Sequence, residues 1–182
     1  PNDANDKIGI EKNIVWTEEE FGKRGFKVSK IMTKGAPLLL AKRDFNSNGK
    51  TVLIYLQMDG QPVDPSRWNQ ENPYNPVLKK MNSSGDWETL DWREIYDYNE
   101  DWRIFARSAS DAKGPVSMFL ASIDAIDGNG IVPNFNIKVI LDFEEEMGSP
   151  NLPDAVKKNG ELLNSDVLII LDGPRHRLNK PT

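Results

Sequence analysis

Three short aliphatic runs constrain this chain most: Thr51-Val-Leu-Ile-Tyr-Leu56, residues 136–143, and Asp166-Val-Leu-Ile-Ile-Leu171. None shows the polar alternation of a half-solvated strand, so each reads as a strand buried on both faces, at home inside a parallel sheet. Each also stops at acids: Asp59 just past Gln57, then Glu144-Glu145-Glu146, then Asp172. Gln57 and Asp59 are two residues apart, which puts both side chains on one side of an extended backbone. Ligands of open α/β sheets gather beyond the carboxyl ends of the strands. The end of the first run is therefore the first place to look for a site.

The intervening segments supply the cover for such a sheet. Thr17-Glu-Glu-Glu20 reads as a capping box opening a helix, with Ile14, Val15 and Phe21 as its apolar contacts and Gly25 at its end. Residues 26–33 and 37–43 read as strands joined by Lys34-Gly35, and the turn cluster 44–49 leads into the first aliphatic run. Residues 64–101 form a long irregular excursion containing Trp68, Trp87 and Trp92. Loops of that length are functional or held by their own packing. Its tryptophans, with Trp102, read as anchors to the core in preference to the lining of a substrate mouth. After a short strand candidate at 102–106, Val116, Phe119, Leu120, Ile123 and Ile126 share one helical face that ends at Gly128. A last helix is expected over about 152–163. The order predicts an α/β fold, a largely parallel mixed sheet flanked by helices, with right-handed crossovers.

Asp59, Glu144 to Glu146 and Asp172 thus reach one edge of one sheet, and Asp111 joins them from a loop that opens a helix. Each has an ordinary reading as well. An acid after a strand forms turns, a run of glutamates is a solvated face, and Asp111 can cap the helix that follows. Several carboxylates in one crevice repel unless a cation neutralises them, so their agreement in position favours a metal site. Oxygen donors alone suit magnesium or manganese, whereas zinc usually takes imidazole among its ligands.

Composition removes other classes. The 182 residues carry a net charge of −5 with no basic stripe, which argues against a nucleic-acid partner. Without cysteine there is no thiolate chemistry and no disulfide. No run is long enough to span a membrane, and the first six residues are not a signal peptide, so a cytoplasmic location is expected. The absence of an initial methionine gives the N-terminus a trimmed look.

The pieces Gln57-Met-Asp59, Asp111-Ala-Lys-Gly114, Glu145-Glu-Met-Gly-Ser149 and Asp172-Gly173 occur in this order. Residues 59–65 with Trp68, and Gly148-Ser-Pro-Asn-Leu152, extend them. Together they resemble the co-catalytic zinc exopeptidases, a family that includes glutamate carboxypeptidases, acetylornithine deacetylase, succinyl-diaminopimelate desuccinylase and carnosine dipeptidases. The resemblance runs from Thr17 over most of the chain, and four ordered motifs are far more specific than any one.

The resemblance implies a hydrolase of a small peptide or an N-acylated amino acid, holding one or two Zn2+, with Mn2+ or Co2+ as alternatives. Asp111 would bridge the metals, Glu146 and Asp172 would bind one each, and Gln57 would stand at the remaining ligand position. Asp59 would orient residue 57, and Glu145 would be the general base that deprotonates a water held by the metals. Family members continue into a lid or dimerisation domain, so residues 1–182 are expected to be a partial catalytic domain with little activity alone. The parent protein is expected to be a homodimer through that domain.

Two departures stand out. The family has histidine where this chain has Gln57, and an amide is a poor zinc ligand beside imidazole. The approach to Asp111 is Ala106-Arg-Ser108 in place of glycine-arginine-glycine. The single histidine, His176, reads as a loop residue near the metal edge and not as a ligand. Gln57 motivates a second reading, a member that has lost catalysis and serves as a binding or assembly subunit. A magnesium-dependent phosphoryl-transfer enzyme ranks lower, because no glycine-rich phosphate loop is present.

Overall fold

The computed structural model describes residues 3–97 and 99–173, so His176 lies outside the described residues. Helix α1 spans Lys7–Lys23, and Asp6 caps it by accepting the Gly9 amide at 3.0 Å. The helix therefore begins a good two turns before the expected start at Thr17. The misleading threonine is fully buried in mid-helix, where its hydroxyl donates to the Asn13 carbonyl at 2.7 Å. Ile10, Ile14, Thr17 and Phe21 fall at three- and four-residue spacing and form the buried stripe.

Strands β1 (Lys27–Ile31) and β2 (Leu38–Arg43) follow, then β3 (Thr51–Gln57). The excursion holds β4 (Val77–Met81) and β5 (Trp87–Leu90), which pair with β6 (Arg103–Phe105) as a separate three-stranded antiparallel sheet. Part of the stretch expected to be irregular is thus a small sheet. The expected anchoring of the tryptophans to the core fails at Trp87 and Trp92, which are both exposed; Trp87 instead meets Phe105 of the same small sheet edge-on, with ring centroids 5.0 Å apart. Helix α2 (Lys113–Gly128), β7 (Asn136–Asp142), α3 (Leu152–Lys158), α4 (Gly160–Leu163) and β8 (Val167–Ile170) complete the chain. The last expected helix is broken at Asn159, whose side-chain amide donates back to the Ala155 carbonyl at 2.8 Å and ends α3.

The main sheet has the order β1-β2-β7-β3-β8. Strands β7, β3 and β8 are mutually parallel, whereas β1–β2 and β2–β7 pair antiparallel. The mixed α/β sheet is the expected class. The two faces sort by residue parity. Leu39, Ala41, Leu56, Ile137, Val139 and Leu141 meet α1 and α2, through Ile14, Phe21, Val116, Phe119 and Ile123. Leu38, Leu40, Leu53 and Ile140 meet Ala155 of α3 and Leu163 of α4. Strand β3, expected to be buried on both faces, is only partly so, because its outer neighbour β8 is exposed along its whole length. The connection leaving β3 passes through α2 on one face, and the connection leaving β7 passes through α3 and α4 on the other. Their carboxyl ends therefore flank a topological switch point, where open α/β sheets form a ligand crevice. Among the described residues no helix is long and apolar enough to cross a membrane.

Candidate active site

Gln57 is the last residue of β3 and is buried. Its side-chain amide nitrogen donates to Asp172 Oδ2 at 3.0 Å, just beyond the neighbouring β8. Asp59 turns the other way. Its Oδ2 accepts the Glu146 amide at 3.1 Å, while Oδ1 is buried with no hydrogen-bond partner. No hydrogen bond joins Asp59 to Gln57, although both sit at one strand end. Burial pushes the Asp59 carboxyl up to about 7, the Glu146 amide opposes this, and the charges of Asp142 and Glu146 reinforce it.

Gln57, Asp111 and Asp172 line a common cavity of about 400 Å3 together with Ser110, Pro115 and Met118. Asp111 is exposed there, at the head of α2. Close packing holds this corner, since a Cβ on Gly114 would come within 2.6 Å of the Ala109 carbonyl oxygen. Glu145 and Glu146 lie outside that cavity lining, on a single 3-10 turn that follows β7. Glu146 is held by Gln61, whose side-chain amide donates to its Oε2 at 2.8 Å. The Glu145 carboxyl is pushed above its ordinary range, first by burial and then by the charges of Asp172, Glu146, Asp111 and Asp142. The acids therefore share one electrostatic neighbourhood. Among the described residues, however, no three acidic or histidine side chains close on a common point as metal ligands do.

The chemistry of the donors suits a divalent cation. They are hard carboxylate oxygens under mutual repulsion, with one further buried oxygen, Asp59 Oδ1, lacking any partner. Gln57 is the exception. The atom it turns to Asp172 is its amide nitrogen, which cannot ligate a metal, so only its carbonyl oxygen could serve.

Residues that sequence reasoning passed over tie the site together. Asn13 of α1 donates to the Met58 carbonyl at 2.8 Å and accepts from Lys113 Nζ at 3.2 Å, joining the end of β3 to the start of α2. Nothing in the sequence marks it. Asp142 was discoverable by the rule that singled out Asp59, an acid where an aliphatic run ends. The neighbouring glutamates drew the eye one step too far.

The fold and the crevice define an α/β domain with acids gathered near the carboxyl ends of its parallel strands. The sequence model of peptidase family M20/M25/M40 matches residues 53–180, and the chain belongs to that family. It is 26% identical over 175 residues to the cysteinylglycine-S-conjugate dipeptidase of Corynebacterium striatum, a match covering 94% of this chain and 33% of that protein. Over 128 residues it is 28% identical to the Cys-Gly metallodipeptidase of Schizosaccharomyces pombe, covering 69% of this chain and 22% of the relative. Among solved structures, the M20 family metallo-carboxypeptidase of Sulfolobus solfataricus superposes with a TM-score of 0.75 at 32% identity. That superposition covers 100% of this chain and 36% of the other. The chain thus spans about a third of these relatives or less. Family members are generally peptidases that bind divalent metals.

Proposed function

We propose that the chain carries the metal-binding and proton-transfer part of a hydrolase that cleaves a dipeptide or an N-acylated amino acid. The observation that carries the proposal is the gathering of Gln57, Asp111 and Asp172 around one cavity beyond the strand ends, beside Glu145, whose carboxyl is raised first by burial and then by the charges of Asp172, Glu146, Asp111 and Asp142. A base for deprotonating water works best with a pKa moved toward neutrality, and this environment moves Glu145 that way. The dipeptidase names of the relatives support the substrate class.

Asp111, Glu146 and Asp172 would hold the cation, zinc first and manganese or cobalt as alternatives, with the Gln57 carbonyl oxygen as a weaker fourth donor. When bound, the metal acidifies water and stabilises the negative charge that develops on the amide oxygen. Glu145 takes the proton from the attacking water and returns it to the leaving amine. Asp59 fixes the backbone of Glu146 through the Glu146 amide, and Gln61 holds the Glu146 side chain. Assembly of the parent protein as a homodimer through a lid or dimerisation domain follows from the family resemblance, and the cytoplasmic location expected from the sequence belongs to the same reading.

Metal analysis and a dipeptide assay of the full-length protein, with a Glu145→Ala variant alongside, are the test. One or two zinc ions per chain, with dipeptide hydrolysis lost in the variant and its fold intact, is the expected result. Turnover that survives Glu145→Ala removes Glu145 as the base.

One contact favours a second reading, that of a binding or assembly subunit without catalysis. The Gln57 amide already caps Asp172, which spends one of the oxygens a metal would need. Gln57→His should then create zinc affinity that the parent sequence lacks, and equal zinc content in the two proteins counts against this reading.

A further inference from the structure

We infer that Asp142 is a positioning residue that sets the geometry of the loop bearing Glu145 and Glu146, by holding both loop ends on one buried carboxylate. The inference rests on the proposed roles of those two glutamates.

Asp142 closes β7 directly opposite Gln57 of β3 and is only 2% exposed. Its Oδ1 accepts the Glu144 amide at 2.9 Å, at the loop entrance. Its Oδ2 accepts the Ser149 hydroxyl at 2.7 Å, at the loop exit, and the Tyr55 hydroxyl of β3 at 3.1 Å. Each hydroxyl has one proton and spends it on Asp142, so Tyr55 and Ser149 converge on the same oxygen. Between these anchors the chain turns back on itself. The Ser149 amide donates to the Glu144 carbonyl at 3.0 Å and the Gly148 amide to the Glu145 carbonyl at 2.7 Å.

Gly148 and Ser149 both sit in the left-handed region, at φ 82° and 49°. For a serine that conformation is unfavourable and persists only where surrounding bonds hold it. The Ser149–Asp142 bond is such a restraint. Three donors on one carboxylate are charge-assisted and stronger than neutral bonds. A neutral carboxamide offers one acceptor oxygen and sets an N–H2 group against at least one of those donors. The carboxylate at 142 is thus matched to holding both ends of the loop.

The test compares Ser149→Ala and Tyr55→Phe, with Asp142→Asn where it folds. It reads amide hydrogen exchange across 143–149, thermal unfolding, and zinc affinity by titration calorimetry. Ser149→Ala should raise exchange at 144–149 about tenfold, leave the amides of β1, β2 and α2 unchanged, and weaken zinc binding about tenfold. Tyr55→Phe should do the same to a smaller degree. Unchanged exchange in the loop overturns the inference, as does a rise spread evenly over the whole chain with a matching fall in melting temperature. A loosened loop with full zinc affinity also overturns it, provided Glu146→Gln weakens zinc in parallel. If Glu146→Gln leaves zinc binding untouched, the metal role of Glu146 fails, and loop exchange alone decides the role of Asp142.

Discussion

Asn13 does more than its place on α1 suggests, because its amide bonds both the end of β3 and the lysine opening α2. Replacing it with alanine leaves the Met58 carbonyl without its donor and the Lys113 ammonium without that acceptor. A buried polar group left unpaired costs about 1–3 kcal/mol, so Asn13→Ala should lower stability by about 2 kcal/mol in chemical denaturation. An unaltered unfolding midpoint would show that water replaces both contacts. Part of the layout is legible at the same scale, since Gln57, Asp111 and Asp172, marked by strand ends and motif order, line one cavity. Asn13 and Tyr55 were out of reach, since each matters through a partner remote in the chain and has no local pattern, whereas Ser149 stands inside the Glu145–Ser149 motif and close in sequence to its partner Asp142.

Among the elements, α2 is placed tightly. Its first turn runs against the Ala109 carbonyl, and only a residue without Cβ fits at Gly114. Gly114→Ala should force the loop from 109 to 113 away from the helix, at about 1–3 kcal/mol as overpacking usually costs. The loss should appear as a lower melting temperature, and an equal or higher one would mean the loop yields freely. The helix itself was legible because Val116, Phe119, Leu120 and Ile123 repeat with helical spacing, and all four are buried. The start of α1 was not. Two capping signals compete in that stretch, Asp6 and Thr17, and local chemistry does not rank them. Tertiary burial does, by drawing Ile10 and Ile14 into the core and carrying the helix back to Asp6. The small sheet of β4, β5 and β6 stayed hidden for a related reason. Lys79, Lys80 and Glu88 break the apolar alternation that identifies strands, and the pairing of β4 with β6 spans the excursion.

For the whole molecule, a cation that binds only the folded chain must stabilise it. At a hundredfold excess over its dissociation constant the gain is about 2.7 kcal/mol, which for a chain of this size raises the melting temperature by roughly 5–10 °C. Zinc should produce that rise and a chelator should reverse it. Superimposable curves with zinc and with chelator would argue for the non-metal reading. Strand order was the least legible property at this scale. Aliphatic runs mark β3, β7 and β8 alike as central, yet β8 is an exposed edge, and nothing in the runs says that β7 lies between β2 and β3. That placement has a kinetic consequence. Strand β2 pairs forward to β7, and β3 pairs only with β7 and β8, all far along the chain. Only hairpins such as β1–β2 and β4–β5 can zip locally, and non-local pairing is slow because loop closure must come first. As the chain leaves the ribosome, the strand ending in Gln57 therefore waits as an unpaired aliphatic segment until Asn136–Asp142 emerges. That interval leaves an aliphatic strand edge open to aggregation.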